Sequence, residues 1–205
     1  MYNHRPNLMI GFHGCDESVR NQLVMQPDEV KISEEKWDWL GHGFYVWENN
    51  QKRALAWAES KALRGKIKKP SVVGVVYLLN NCLDFTDSSS IDLLSIYFEM
   101  MKIELTKDGE LLPKNKNIAK DEYSDLLLRE LDCAVIEFIH REMQNRINLK
   151  ILQKGFSEIA PFDTVRGVFT EGGPAFEGAG IQKKSHIQIC IRNLQCIKAF
   201  FIPRK

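Results

Sequence analysis

The stretch "KSHIQICIRN", residues 184–193, alternates apolar and other side chains without a break. One side of the alternation is aliphatic and consists of Ile187, Ile189 and Ile191. The opposite side consists of His186, Gln188, Cys190 and Arg192. A period of two residues is that of a β-strand with one face in the core. The sequence therefore predicts a strand near the end of the chain, with Gln188 on the face away from the isoleucines.

Further strands are predicted near both ends of the chain and between them. Their sequences are the apolar run 8–13, "GFYVWEN" at 43–49, "SVVGVVYLLNNCLDFTD" at 71–87, "FDTVRGVF" at 162–169 and "CIKAFFIP" at 196–203. The long run 71–87 is expected to turn at Asn80 and Asn81, because asparagine favours turns.

Four helices are predicted from amphipathic periodicity and helix-forming residues. They cover 17–25, 50–65, 88–109 and 124–146, with Asn49 or Asn50 capping the second and serines capping the third. Strands at both ends with helices between them indicate an α+β fold. We expect one domain over 1–205, with 89–150 as a mainly helical section.

Composition excludes several classes of protein. The 205 residues are 44% hydrophobic and 27% charged with a formal net charge of +1, as in an ordinary globular domain without a nucleic-acid or membrane bias. No signal peptide and no apolar run of about 18 residues is visible. The five scattered cysteines form no CxxC pair and no zinc-ligand spacing. We expect reduced, mostly buried thiols in a cytoplasmic protein, with no metal and no membrane contact.

A histidine flanked by glycines, "GFHG" at 11–14, ends the first strand. Glycine inside a strand costs stability and usually marks the close approach of a ligand or of another part of the backbone. His13 is therefore either a core histidine satisfied by the backbone or a ligand-binding residue. Taken alone, the core reading is favoured.

Two further features accompany it. One is "GHGFYVWEN" at 41–49, and the other is the glycine-rich loop 170–181, which contains Glu171 and Glu177. Neither is specific alone, since the loop lacks the lysine and following helix of a phosphate-binding loop. The combination is more informative than its parts.

Together, "GFHG" and "GHGFYVWENNQKRALAWA" at 41–58 resemble the opening of ADP-ribosyltransferases of the diphtheria-toxin and poly(ADP-ribose) polymerase type. That family carries a histidine–tyrosine–glutamate signature on three separate strands. The resemblance covers about the first 60 residues, with support from the terminal strands. It implies a split mixed β-sheet of the ADP-ribosyltransferase kind, with the helical section inserted mid-chain.

The resemblance also implies roles for individual residues toward NAD, the co-substrate. His13 would bind the adenosine ribose, and the Gly14 backbone would help hold the nicotinamide amide. Tyr45 would stack on the nicotinamide ring, whose positive charge suits an aromatic face. The remaining NAD-binding candidates are Gly43, Asn49 and Arg166.

The sequence departs from the family at the third signature position. The closing strand has no acid, and Gln188 is its best-placed polar residue. A glutamine can hydrogen-bond a ribose hydroxyl but brings no negative charge to an oxocarbenium. The acid would then be Glu171, or Glu177, reaching in from the loop. We expect Tyr45, Gln188 and Glu171 to carry the catalysis.

Some residues have a structural reading as well as a functional one. Arg166 and Arg192 would bind the NAD pyrophosphate or form ion pairs at the sheet surface. Trp37 and Trp39 would form a lid over nicotinamide or cap the core.

The function implied by the resemblance is the cleavage of NAD and transfer of ADP-ribose to protein, DNA or RNA. Small members of the class are often toxins of toxin–antitoxin or phage-defence systems, which implies an antitoxin partner. The basic stretch 61–70 and the lysines of 114–120 favour a nucleic-acid acceptor. The alternatives are a non-catalytic NAD- or ADP-ribose-binding module, an NAD glycohydrolase, and an interaction scaffold.

Overall fold

The computed structural model describes residues 4–118 and 122–204. The predicted basic residue Lys120 lies outside the described residues. The strands are β1 (His4–Asp16), β2 (Phe44–Glu48), β3 (Pro70–Asp84), β4 (Asn115–Lys116), β5 (Leu128–Arg129), β6 (Thr164–Phe169), β7 (His186–Ile191) and β8 (Ile197–Phe201). The helices are α1 (Glu17–Met25), α2 (Gln51–Leu63), α3 (Ser88–Lys107) and α4 (Glu130–Lys154).

The main sheet is mixed and has six strands in the order β1-β2-β7-β6-β3-β8. Because β1 also pairs with β3, the strands β1, β2, β7, β6 and β3 form a closed ring of pairings. The β3–β6 pair is parallel and the other pairs of this sheet are antiparallel. The α+β class predicted from the sequence is confirmed.

Two large apolar clusters lie on opposite faces of β2 and β7. The first contains Phe44, Val46, Ile189 and Ile191 and extends to Leu23 of α1. The second joins Cys190 to α3 and α4. A smaller cluster lies under α2 and includes Trp47 and Ala54. The predicted alternation of β7 is confirmed, because its isoleucines and its polar residues lie on different faces.

Strand β3 continues through Asn80 and Asn81, where the sequence predicts a turn. Asn80 has a φ of 48°, which bends the strand without ending it. β3 pairs with β8 before Asn80 and with β1 as far as Asn81, and Cys82–Asp84 then pairs with β6. The predicted turn is wrong because asparagine tolerates the left-handed conformation inside a bent strand.

The helix ends follow local hydrogen bonds. Asn50 caps α2 by accepting from the Arg53 amide, which settles the choice between Asn49 and Asn50. Asp87, not a serine, caps α3. Helix α4 begins later and ends later than predicted. Ser124 and Leu126 have positive φ values that exclude a helix there, and Gly155 ends α4 in the left-handed conformation.

All five cysteines are buried and free, as predicted. Among the described residues, no helix combines the length and apolar character that a membrane crossing requires.

Buried histidines make the fold sensitive to acid. Burial lowers the pKa of His140 to about 3, and burial also lowers the pKa values of His13 and His186. Below about pH 6.5 the unfolded chain binds protons that the folded chain does not, so stability falls as pH falls. For one histidine the slope approaches about 1.4 kcal/mol per pH unit until its folded pKa is reached.

We therefore expect His140→Leu to reduce the loss of unfolding free energy between about pH 7 and about pH 5. Denaturant titrations of both proteins at several pH values measure this slope. Equal slopes for wild type and variant would contradict the prediction.

Candidate functional site

The predicted signature residues lie on three consecutive neighbours in the sheet, β1, β2 and β7. The register places Phe12 opposite Trp47, Trp47 opposite Gln188, and Tyr45 opposite Cys190. Paired residues share a face of the sheet. The side chains of Phe12, Tyr45, Trp47 and Gln188 therefore share one face, which we call the helix face because α2 and α4 pack on it.

Glycine 14 is required by packing between α2 and β1. A Cβ at this position would lie 2.2 Å from the carbonyl oxygen of Ala54 in α2. Gly43 has a comparable role, because a Cβ there would lie 2.5 Å from the Cys190 Sγ on β7. Both glycines mark the close approach of another part of the chain, as the sequence suggested.

The imidazole of His13 lies on the other face of β1 and β2. Its ring stacks on Phe44 with centroids 4.5 Å apart, and its Nδ1 donates to the Tyr45 carbonyl oxygen over 2.8 Å. Because a carbonyl oxygen can only accept, the proton of the neutral ring is on Nδ1, and Nε2 carries the lone pair. Burial lowers the pKa of His13, so the ring is neutral at physiological pH. The structure therefore does not place the His13 ring on the face that carries Gln188.

Tyr45 is a nearly buried tyrosine whose hydroxyl is fully used. The hydroxyl accepts a hydrogen bond from the Leu40 amide (2.9 Å) and donates one to the Gly41 carbonyl (2.8 Å). Burial raises its pKa well above the usual value. The phenol thus fixes the loop that precedes β2.

The Gln188 side chain is 9% exposed and is held by Trp39. The indole Nε1 of Trp39 donates to Gln188 Oε1 over 2.5 Å, and the indole also packs edge-on against Phe169. Gly167, opposite Gln188 on β6, leaves the space that this indole fills. Trp39, one of the two tryptophans predicted to form a lid or cap the core, therefore points inward and contacts Gln188.

The loop carrying Trp39 is anchored to α4. Glu137 accepts from the His42 amide over 2.8 Å and pairs with Arg192 through both of its oxygens. Arg192 also donates to the His42 carbonyl. The carboxylate thereby joins the loop, α4 and the end of β7, and this ion pair occupies Arg192.

Glu171 lies at the other end of the helix face, where it is buried. Its carboxylate pairs with Arg53 of α2 and lies 4.0 Å from Nδ1 of His186. His186 is two residues before Gln188 on the same face of β7, and its Nδ1 donates to the Lys184 carbonyl over 2.6 Å. Burial lowers the pKa of His186, which leaves a neutral ring with its lone pair on Nε2.

Two buried N–H groups in this region have no acceptor among the described residues. They are the indole Nε1 of Trp47 and the Nε of Arg53, whose guanidinium lies 6.0 Å from the Trp47 ring. Trp57 and His186 also face the Trp47 ring, at 5.7 and 6.2 Å. Buried donors normally find an acceptor, so these two N–H groups suit a ligand or water that offers oxygen atoms.

The other predicted site residues lie apart from these buried N–H groups. Arg166 shares a face with Glu48, to which it forms a bidentate pair, and it also contacts Asp84 at 3.2 Å. Asn49 is exposed in the turn before α2, with a φ of 48°. Glu177 is exposed at the tip of its loop.

Sequence reasoning missed Trp47, Arg53 and His186, which with Gln188, Glu171 and Trp39 form the candidate site. The alternation of β7 placed His186 on the same side as Gln188 and was the available signal. Nothing local in the sequence indicates that Arg53 meets Glu171. Among the described residues, no three histidine, cysteine or acidic side chains form a group that could hold a metal ion.

No family model matches the chain, and neither does any curated protein or solved structure.

Proposed function

We propose that the protein is an ADP-ribosyltransferase, which cleaves NAD at the nicotinamide bond and transfers ADP-ribose to a macromolecular acceptor. The observation that carries the proposal is the adjacency of β1, β2 and β7. These strands are distant in sequence and carry His13, Tyr45 and Gln188, the positions matched to the signature of the resembled family. Tyr45 and Gln188 share a face of the sheet, and the His13 ring lies on the opposite face. Under this proposal, the ring of strands with its inserted helices is an ADP-ribosyltransferase fold.

The proposed reaction requires little covalent chemistry from the protein's own side chains. The bond between ribose C1 and the nicotinamide nitrogen breaks, and its electron pair stays on that nitrogen, which loses its positive charge. The oxocarbenium left on the ribose is captured by a nucleophile of the acceptor, which releases a proton. The site must therefore hold the ribose, stabilise positive charge and exclude competing water.

Individual residues suit these tasks. The Gln188 amide would bind a ribose hydroxyl, and Glu171 is the nearest buried acid on this face. The N–H groups of Trp47 and Arg53 would donate to oxygen atoms of the substrate. His186 is the neutral base on the face of Gln188 and would take the acceptor's proton at Nε2.

A non-catalytic NAD-binding module is the second candidate. It is favoured by the uncharged amide of Gln188, whose oxygen already accepts from Trp39. Within the first proposal, a cytoplasmic toxin of a toxin–antitoxin or phage-defence system, restrained by an antitoxin, is the biological setting we propose. The acceptor is a nucleic acid or a protein.

The test is the release of nicotinamide from NAD by the purified protein, with RNA, DNA or protein supplied separately. We expect release that depends on one acceptor class and is lost in Tyr45→Ala, since that change removes both the ring and the bonds that hold the Trp39 loop. Phe156→Ala, at a 59% exposed aromatic residue just after α4 and outside the site, is the control. Binding of NAD without release would favour the module, and release without any acceptor would indicate a glycohydrolase.

A further inference from the structure

A cavity of about 630 Å³ opens between the N-terminal halves of α3 and α4. Its walls include the rings of Trp39, Phe85 and Phe98, and its polar groups include Ser95, Glu99 and Asp132. Its volume lies in the range of roughly 300–1,000 Å³ that small-molecule sites occupy. The cavity belongs to the central helical section, between α3 and α4.

The cavity lies away from His13 and Gly14, whereas Tyr45 packs against the same apolar cluster as the cavity lining. In the sheet, β7 separates β2 from β6. His13 and Gly14 belong to β1, beyond β2, whereas Val168 of β6 lines the cavity. The indole of Trp39 lines the cavity and also donates from its Nε1 to Gln188, so it lies between the cavity and Gln188.

The lining favours a flat ring over an alkyl chain. Three aromatic side chains come from three different segments, and the Arg129 guanidinium lies over Trp39 (5.6 Å) and Phe169 (4.2 Å). Aromatic faces and guanidinium planes both stack on heteroaromatic rings, and an alkyl chain makes no use of them.

The polar groups of the cavity are mainly hydrogen-bond acceptors. Asp132 accepts from Asn115 and Arg129, and Glu99 pairs with Lys102 at 3.5 Å, but each carboxylate keeps further lone pairs. The Ser95 hydroxyl donates to the Ile91 carbonyl over 3.1 Å, so its oxygen remains an acceptor. Such a set suits a ligand with N–H donors and disfavours an anion such as a fatty acid. The Arg129 guanidinium is occupied by Asp132 and the Leu126 carbonyl.

We propose that this cavity binds an uncharged, amino-substituted planar heteroaromatic ring, the chemistry of an aminopurine or aminopyrimidine base, from a molecule other than NAD. The ring lies between Trp39 and the phenylalanines, and its amino group donates to the acceptors of α3 and α4. This site goes beyond the proposed function, because binding there requires no cleavage of NAD.

Calorimetric titration with adenosine and with inosine tests the proposal. The two nucleosides differ at the position where adenosine carries its amino group and inosine a carbonyl. We expect adenosine to bind about tenfold more tightly than inosine. Equal affinities, or no adenosine binding by the folded protein, would overturn the proposal.

Phe98→Leu keeps apolar volume and removes one aromatic face, and we expect it to weaken adenosine binding about tenfold. Ile96→Ala, at a 58% exposed position of α3 that does not line the cavity, should leave the affinity unchanged. Wild-type affinity in Phe98→Leu would count against the proposal.

Competition with NAD separates this site from the proposed active site. Adenosine binding that persists when NAD is saturating supports a second ligand, and displacement by NAD would show that the cavity belongs to the dinucleotide. Failure of nicotinamide release with adenosine binding intact would refute only the proposed function.

Discussion

Replacement of Gln188 by alanine is expected to lower the rate of nicotinamide release by about 10²–10³-fold, the usual cost of losing one preorganised transition-state hydrogen bond. Under the proposed function, the loss should appear mainly in kcat, because a bond from Gln188 to the ribose would strengthen as the oxocarbenium forms. Initial rates over a range of NAD concentrations, with the preferred acceptor present, measure it.

The matched control is Gln182→Ala, in the loop before β7 and outside the site, which should retain the wild-type rate. Gln188→Glu introduces the acid that the resembled family carries at this position, and we expect it to release nicotinamide at least as fast as wild type. An unchanged kcat in Gln188→Ala would exclude this residue from the chemistry.

The second large effect concerns stability. Gly14→Val places side-chain atoms where a Cβ alone lies 2.2 Å from the Ala54 carbonyl, so α2 must move away from β1. We expect a loss of about 3 kcal/mol in the free energy of unfolding, at the upper end of overpacking costs. Thermal and denaturant unfolding of the variant and wild type measure this loss.

Gly180→Val is the control for that experiment, since Gly180 lies in the glycine-rich loop and a Cβ there meets nothing within 4 Å. It should leave stability nearly unchanged. If Gly14→Val retained wild-type stability, the glycine would have to be explained by ligand binding and not by the packing of α2.

Features encoded within a few residues could be predicted from the sequence. Helix α1 was predicted over its full extent, and the alternation of β7 gave the facing of Gln188 correctly. The same alternation placed His186 beside it. In these segments the local pattern and the tertiary environment favour the same structure.

What escaped prediction depends on distant contacts. Asn80 looks like a turn residue, and only the pairing with β1 and β6 keeps the strand continuous. The loop that contains Trp39 shows no periodic pattern of apolar residues, and its position is set by hydrogen bonds to Glu137 and Tyr45. The facing of His13 follows from the β1–β2 register, which no local pattern encodes.

The order of strands also bears on how the chain is made. β2 is synthesised long before its partner β7, because the whole of α2, β3, α3, α4 and β6 lies between them in the chain. A nascent or prematurely terminated chain that ends before His186 therefore exposes unpaired edges of both β2 and β6, which invite aggregation. It also lacks Gln188, so the candidate site does not form until β7 has been synthesised.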